Sequence, residues 1–147
     1  MTKVLIGLIA LLVAVVVVQE IQHRHALDEA QKREETTRTL IALMDQVHQY
    51  TEWFYKGNLD ALSEKFSDSM KLLLPKDELK KFRDRILTQL GEETQVVDEG
   101  LTPLSDQFRY DRVALFSKYD GQVQVQITLD IKEQIVGFTI QPIQKSK

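Results

Sequence analysis

The groups in this chain that could do chemistry are three histidines and a scattered set of carboxylates, and there is no cysteine. Without cysteine there is no disulfide, no thiol nucleophile, no Cys-ligated zinc and no lipid attachment at a thiol. His23 and His25 are two residues apart and so point to different sides of a helix, while His48 lies far along the chain. That spacing does not make a metal site, and neither metal nor cofactor is expected. Proton abstraction would need a carboxylate facing inward in an apolar pocket. Asp111 and Asp130 fall at strand ends, Glu52 falls on the wet side of its helix, and Asp98 and Glu99 fall in the least regular strand. Gly-x-Ser-x-Gly, a phosphate-binding glycine loop and a nucleophile–base pair are all missing. No residue is assigned a catalytic role.

The elements that would position any such group belong to one domain plus a tail, because 147 residues at 43% hydrophobic content supply one core. The net charge of −3 is spread over both signs, with no basic stripe, which argues against nucleic acid as a partner. An unbroken apolar run extends from Val4 to Val18. As a helix it would measure about 22 Å against a hydrocarbon core of about 30 Å, short for a span and long for a signal-peptide core. Gln19, Glu20, Ile21, Gln22, His23 and Arg24 follow it, without the small residues of a cleavage site. The run is therefore expected to be an uncleaved signal anchor over residues 1–21, in a single-pass protein whose domain lies outside the cytoplasm; secretion after cleavage is the alternative. Residues 22–38 carry dense charge with little apolar content and read as a polar helical stalk.

Residues 39–143 form the expected domain, with a short tail over 144–147. Leu40, Leu43, Met44, Val47, Tyr50 and Phe54 keep helical spacing, and Gly57 suits the residue past the helix end. A short second helix is expected to start at Asp60, and a third after Pro75, with Leu79, Phe82, Ile86, Leu87 and Leu90 inward and Gly91 closing it. Strands follow over 94–101, 108–119 and from 122 onward. Asp120-Gly121 predicts a two-residue hairpin turn in which Phe116 faces Val125 and Ala114 faces Ile127. The last hairpin is the clearest. Val125, Ile127 and Leu129 alternate with glutamines and Thr128 and fall opposite Ile140, Phe138 and Val136 when the chain turns over Ile131 to Gln134. The fold expected is α+β: an anchor helix and stalk, then three helices packed on a curved four-stranded antiparallel sheet.

Phe54, Gly57, Asp60 and Leu62, then Ser69-Met70, Leu79, Phe82, Leu90-Gly91, Ile135 and Gly137-Phe138, make the chain from about Thr39 to Pro142 resemble the small bacterial domain-of-unknown-function family numbered 3887. The Phe-x-x-Gly-Asn-x-Asp segment, Phe54 to Asp60, is its most specific part. The resemblance implies a cone-shaped domain of the nuclear-transport-factor-2-like or cystatin-like kind, usually exported, and it implies no activity. Members close the last hairpin with Asp-x-x-Gly-Lys; here Asp130, Ile131, Lys132, Glu133 and Gln134 stand in its place.

A non-catalytic binding or interaction module is the function expected. In such a cone Tyr50, Phe54, Phe82, Phe116 and Phe138 could line a cavity, although their spacing is also that of a core. Tyr110 and Tyr119, nearer the rim, are the candidate exposed contacts. A protein partner or a second copy could use the open sheet face, where Val113 and Leu115 share a side with Gln122, Gln124 and Gln126. The alternatives are a small enzyme of the isomerase or hydratase cone type and a secreted soluble ligand-binding domain.

Overall fold

The computed structural model describes residues 2–143, with side chains from residue 24 onward. The chain divides into two compact units, Met1–Ile41 and Ala42–Lys147. Helix α1 (Thr2–Lys56) contributes to both. The side chains of the Val4 to Val18 run expected to be the anchor, and the 144–147 tail, lie outside the described residues. Among the described residues no helix is long and apolar enough to cross a membrane. From Arg24 to Thr39 every side chain is exposed, and Arg38 is bonded to Glu34 one turn earlier.

In the second unit, α1 buries Leu43, Val47, Tyr50 and Phe54 along one stripe. Gly57 ends it at φ 82°, donating to the Phe54 carbonyl while Asn58 donates to that of Trp53, a reciprocal pair that satisfies two of the last carbonyls. Arg83 completes the cap from elsewhere in the chain: its Nε and Nη2 donate to the Phe54 and Tyr55 carbonyls at 2.7 and 2.6 Å, placing a cation at the helix C-terminus. Two short helices follow, α2 (Leu59–Glu64) and α3 (Asp68–Leu73), and then α4 (Lys76–Gln89).

Two helical expectations are corrected here. Asn58, not Asp60, precedes α2, and Asp60 instead pairs with Lys76. The domain also holds one more helix than expected, because Ser67 accepts from the Met70 amide and starts α3 in a stretch whose only buried apolar residue is Met70.

Four strands form one antiparallel meander in the order β1 (Glu93–Pro103), β2 (Gln107–Phe116), β3 (Tyr119–Asp130) and β4 (Ile135–Pro142). Val123, Val125, Ile127 and Leu129 of β3 are all buried while the residues between them are not, as strict alternation demands. With Ala114, Phe116, Ile135, Phe138 and Ile140 they meet the buried stripes of the helices in one core.

The β3–β4 register keeps Ile127 opposite Phe138 and Val125 opposite Ile140, but Leu129 pairs with Ile135, and Val136 is squeezed out as a bulge. Asp130 organises the turn, its Oδ1 accepting from the amides of Lys132 and Gln134, both at 2.9 Å. Glu133 occupies the left-handed region there, at φ 62°, and is the one non-glycine among the described residues to do so. This conformation costs an L-residue about 1–2 kcal/mol, and Glu133→Gly is expected to raise stability by about 0.5–1 kcal/mol, read from the urea midpoint.

The β2–β3 hairpin departs from expectation. Phe116 pairs with Tyr119 across Ser117-Lys118, and Asp120-Gly121 is a bulge inside β3 rather than the turn, so Ala114 faces Val123 and Arg112 faces Val125. The end of α4 decides this: the Lys118 amide donates to the Leu90 carbonyl and the Ser117 amide to that of Glu92. A tertiary anchor at Ser117-Lys118 outweighs the local turn preference of Asp-Gly. The partner of Ala114 moves by four residues, an even number, so the side chains of β3 from Gln122 onward keep their face of the sheet.

Candidate functional site

Parity along β2 puts Tyr110, Arg112, Ala114 and Phe116 on the helix-facing side of the sheet. Opposite them on β1 stand Leu101 against Tyr110, Glu99 against Arg112 and Glu93 against Phe116. One cation and two carboxylates thus enter the side of the sheet that holds the core. Helix α1 lays His48 and Tyr55, two turns apart, over the same ground. His48 meets the Tyr110 ring edge-on at 6.0 Å, and Tyr55 meets Phe116 at 6.1 Å.

Arg112 grips Glu93 with two parallel bonds, Nε to Oε2 at 3.1 Å and Nη2 to Oε1, and both side chains are nearly buried, 15% and 12% exposed. This is the fork-on-carboxylate geometry that suits arginine and not lysine. Its Nη1 reaches Glu99 Oε2 and the Tyr110 hydroxyl, each at 3.3 Å. Glu99 Oε2 also accepts from Tyr110 at 2.7 Å and bonds His48 Nε2 at 2.9 Å. Glu99 is therefore shared by three elements: its own edge strand, β2 and α1.

The titration behaviour follows from these partners. Partial burial pushes the Glu99 carboxyl up, but the hydrogen bonds from Tyr110 and His48 and the neighbouring positive charges outweigh it, so the carboxyl titrates below its ordinary range. The Arg112 guanidinium, disfavoured by burial, is held more firmly charged by its bonds to Glu93 and Tyr110. Burial pushes the Tyr110 phenol up, and the Glu99 charge adds to that against Arg112. Tyr55 rises for the same first reason and then through the charge of Glu93.

Glu99 has a folded-state pKa below its unfolded one. Its contribution to stability is therefore present above the ordinary glutamate range and is lost as pH falls through the folded value. Between neutrality and about pH 3, the wild-type urea midpoint is expected to fall towards that of Glu99→Gln. The two curves should be furthest apart at neutral pH and should close together in acid.

The cluster's chemical capacity is set by how fully its members are engaged. Arg112 has committed its donors to two carboxylates and a phenol, so an incoming anion would have to displace one of them. Glu99 is held ionised, the opposite of the proton-holding acid that hydratase-type chemistry asks for. As built, the network is a bracket that ties the outermost strand, β1, to α1 and β2.

The residues expected to line a cavity sit elsewhere. Tyr50, Phe54, Phe82, Phe116 and Phe138 all belong to the core, where Phe54 and Phe138 pack edge-to-face at 4.9 Å and Phe82 contacts both. A groove of about 880 Å³ instead runs along α1, lined by Asp45, His48, Gln49, Glu52 and Tyr55 together with Arg112 and Glu133. It is open to solvent and mixes exposed polar side chains with the half-buried His48, Tyr55 and Arg112 of the network, unlike an enclosed apolar ligand pocket.

Tyr110 is 0% exposed, which corrects its expected place at the rim. It faces inward at even spacing from Ala114 and Phe116, and its hydroxyl is spent on Glu99. Tyr119 is half-buried against the core, paired with the inward Phe116 beside the bulge at Asp120-Gly121, and so is not the exposed rim contact expected of it. Among the described residues no group of three or more metal-ligating side chains converges; His25 is exposed on α1, and the side chain of His23 lies outside the described residues.

On the outer face, Val113 and Leu115 remain half-buried beside the glutamine row. Asp111 organises that row: its Oδ1 accepts from Gln124 and Gln126 at 3.0 and 2.8 Å, and its Oδ2 from Arg109 at 2.8 Å.

Sequence reasoning missed Glu93, Glu99, Arg112, His48 and Tyr55 as a group. The parity of Tyr110, Arg112, Ala114 and Phe116 was a usable signal for Arg112. For the two glutamates there was none, because irregularities between Glu93 and Gln95 and between Val96 and Asp98 break the alternation of β1. Comparison of the chain with protein-family models, with curated proteins and with solved structures finds no match.

Proposed function

We propose that this protein is a non-catalytic interaction module, tethered to the bacterial cytoplasmic membrane through Val4 to Val18 and displayed on its outer side, that uses the open face of its sheet to hold a protein partner or a second copy. The observation that carries this reading is the contrast between the two sheet faces. On the inner face Glu93, Glu99, Tyr110 and Arg112 are bonded to one another, and Glu99 also to His48. The outer face presents the half-buried Val113 and Leu115 beside a glutamine row in which Asp111 is already paired with Arg109 and bonded by Gln124 and Gln126. A mixed face of this kind also suits an isologous contact. The resemblance of the Phe54 to Asp60 segment and of Gly137-Phe138 to the family numbered 3887, read from the residues alone, also favours export and display.

The test is the full-length chain purified from membranes, compared with the Val113→Glu, Leu115→Glu double variant. Both positions are half-exposed, so the variant is expected to fold, and its complex should shrink by the mass of the partner or second copy in light scattering. An unchanged complex mass would count against the sheet face as the contact.

A further inference from the structure

Helix α3 turns its two ends to different environments. Met70 is buried and Leu74 packs against the core, but Leu72 and Leu73 between them are 83% and 79% exposed, the two most exposed large apolar side chains of the described residues. They stand at a corner, because Leu74 leaves the helical conformation and Pro75 starts α4 in a new direction. Lys71 and Lys76 bracket them in the run Lys71-Leu72-Leu73-Leu74-Pro75-Lys76, with Lys65 one helical segment earlier. Lys71 is free to orient, whereas Lys76 is paired with the exposed carboxylate of Asp60.

Core packing does not explain the two leucines, since the α3 segment is already fixed by Met70, Leu74 and the Ser67 amide, which donates to the Ile135 carbonyl. Leaving two adjacent leucines in water forgoes the gain of burying them. A protein partner is a poor match for them: two side chains on a convex corner are far from the roughly 1,200 Å² or more that a stable interface buries. A bilayer needs only that a few apolar side chains enter the acyl boundary while flanking lysines stay at the level of anionic headgroups.

We infer that the α3–α4 corner is a membrane-contact tip, in which Leu72 and Leu73 insert shallowly into an anionic lipid surface and Lys71 and Lys76 lie against its phosphates. The inference rests on the membrane-tethered reading and adds a second point of attachment.

The absence of cysteine makes the test direct. Full-length Leu72→Cys, carrying an environment-sensitive fluorophore, is reconstituted into vesicles of phosphatidylcholine alone or with phosphatidylglycerol, with Thr139→Cys on the exposed side of β4 as the reference. In the phosphatidylglycerol vesicles the probe at 72 is expected to shift to the blue and to be quenched by spin-labelled lipid. Lys71→Glu should abolish both effects, and the probe at 139 should show neither. Flotation with the vesicles reports the N-terminal run independently. A chain that floats while the probe at 72 stays as wet as the probe at 139 overturns the tip alone and leaves the tether standing. A chain that does not float overturns both.

Discussion

Arg112→Met is expected to cost about 3 kcal/mol and to give the largest loss of any polar substitution in the domain. The guanidinium is nearly buried and holds Glu93 in a two-pronged bond while reaching Glu99 and Tyr110. Removing it strands a carboxylate that is itself only 12% exposed. Deleting one partner of a buried pair costs more than the pair contributes, because the remaining charge stays desolvated. The same reasoning sets the companion result: Arg112→Met together with Glu93→Leu should recover most of the loss, since no unpaired charge is then left beside Phe116 and Tyr55. Urea unfolding of the two single variants and the double variant closes the cycle. If the double variant is as unstable as Arg112→Met, the bracket is not an ion pair in the sense described.

Gly91→Ala is expected to cost about 2–3 kcal/mol. Gly91 sits at φ 80°, where an L-side chain is strained by about 1–2 kcal/mol. A Cβ there would also lie 2.2 Å from Ser117 Oγ and 3.0 Å from the backbone nitrogen of Lys118. Ser117 would have to move, and its hydroxyl accepts from the Glu92 amide at 3.0 Å, a bond worth about another 1 kcal/mol. The residues displaced are the ones that lock the β2–β3 turn onto the end of α4. The loss should therefore come with altered amide shifts at Ser117 and Lys118 and not at the far end of the sheet. A loss below about 0.5 kcal/mol would mean that the α4–hairpin junction is loose.

How much of this was legible in the chain depended on whether a segment was regular. The β3–β4 pairings of Ile127 with Phe138 and Val125 with Ile140 follow from alternation alone, and so do the buried stripe of α1 and the two glycines, Gly57 and Gly91, that end helices at positive φ. Where one extra residue enters a strand, the reading loses its register. The bulge at Asp120-Gly121 moved the hairpin turn to Ser117-Lys118, and the irregularities of β1 hid Glu93 and Glu99. Helix α3 was missed because it is short and is defined by a serine cap and one buried methionine, not by a stripe. The site was less legible than the fold for a related reason. Aromatics at core spacing suggested a cavity, whereas the inner face had spent its polar groups on a buried arginine whose partners come from strand pairing and from α1.

The most direct test of the proposed function is photocrosslinking in the native membrane, with the crosslinker placed at Leu115 on the outer sheet face and, in a second chain, at Glu52 on the outward stripe of α1. The proposal predicts a discrete adduct from position 115, either at twice the chain's mass or at the mass of the chain plus one partner, and none from position 52. Adducts from position 52 with none from 115 would contradict it, and would move the point of contact to the groove along α1.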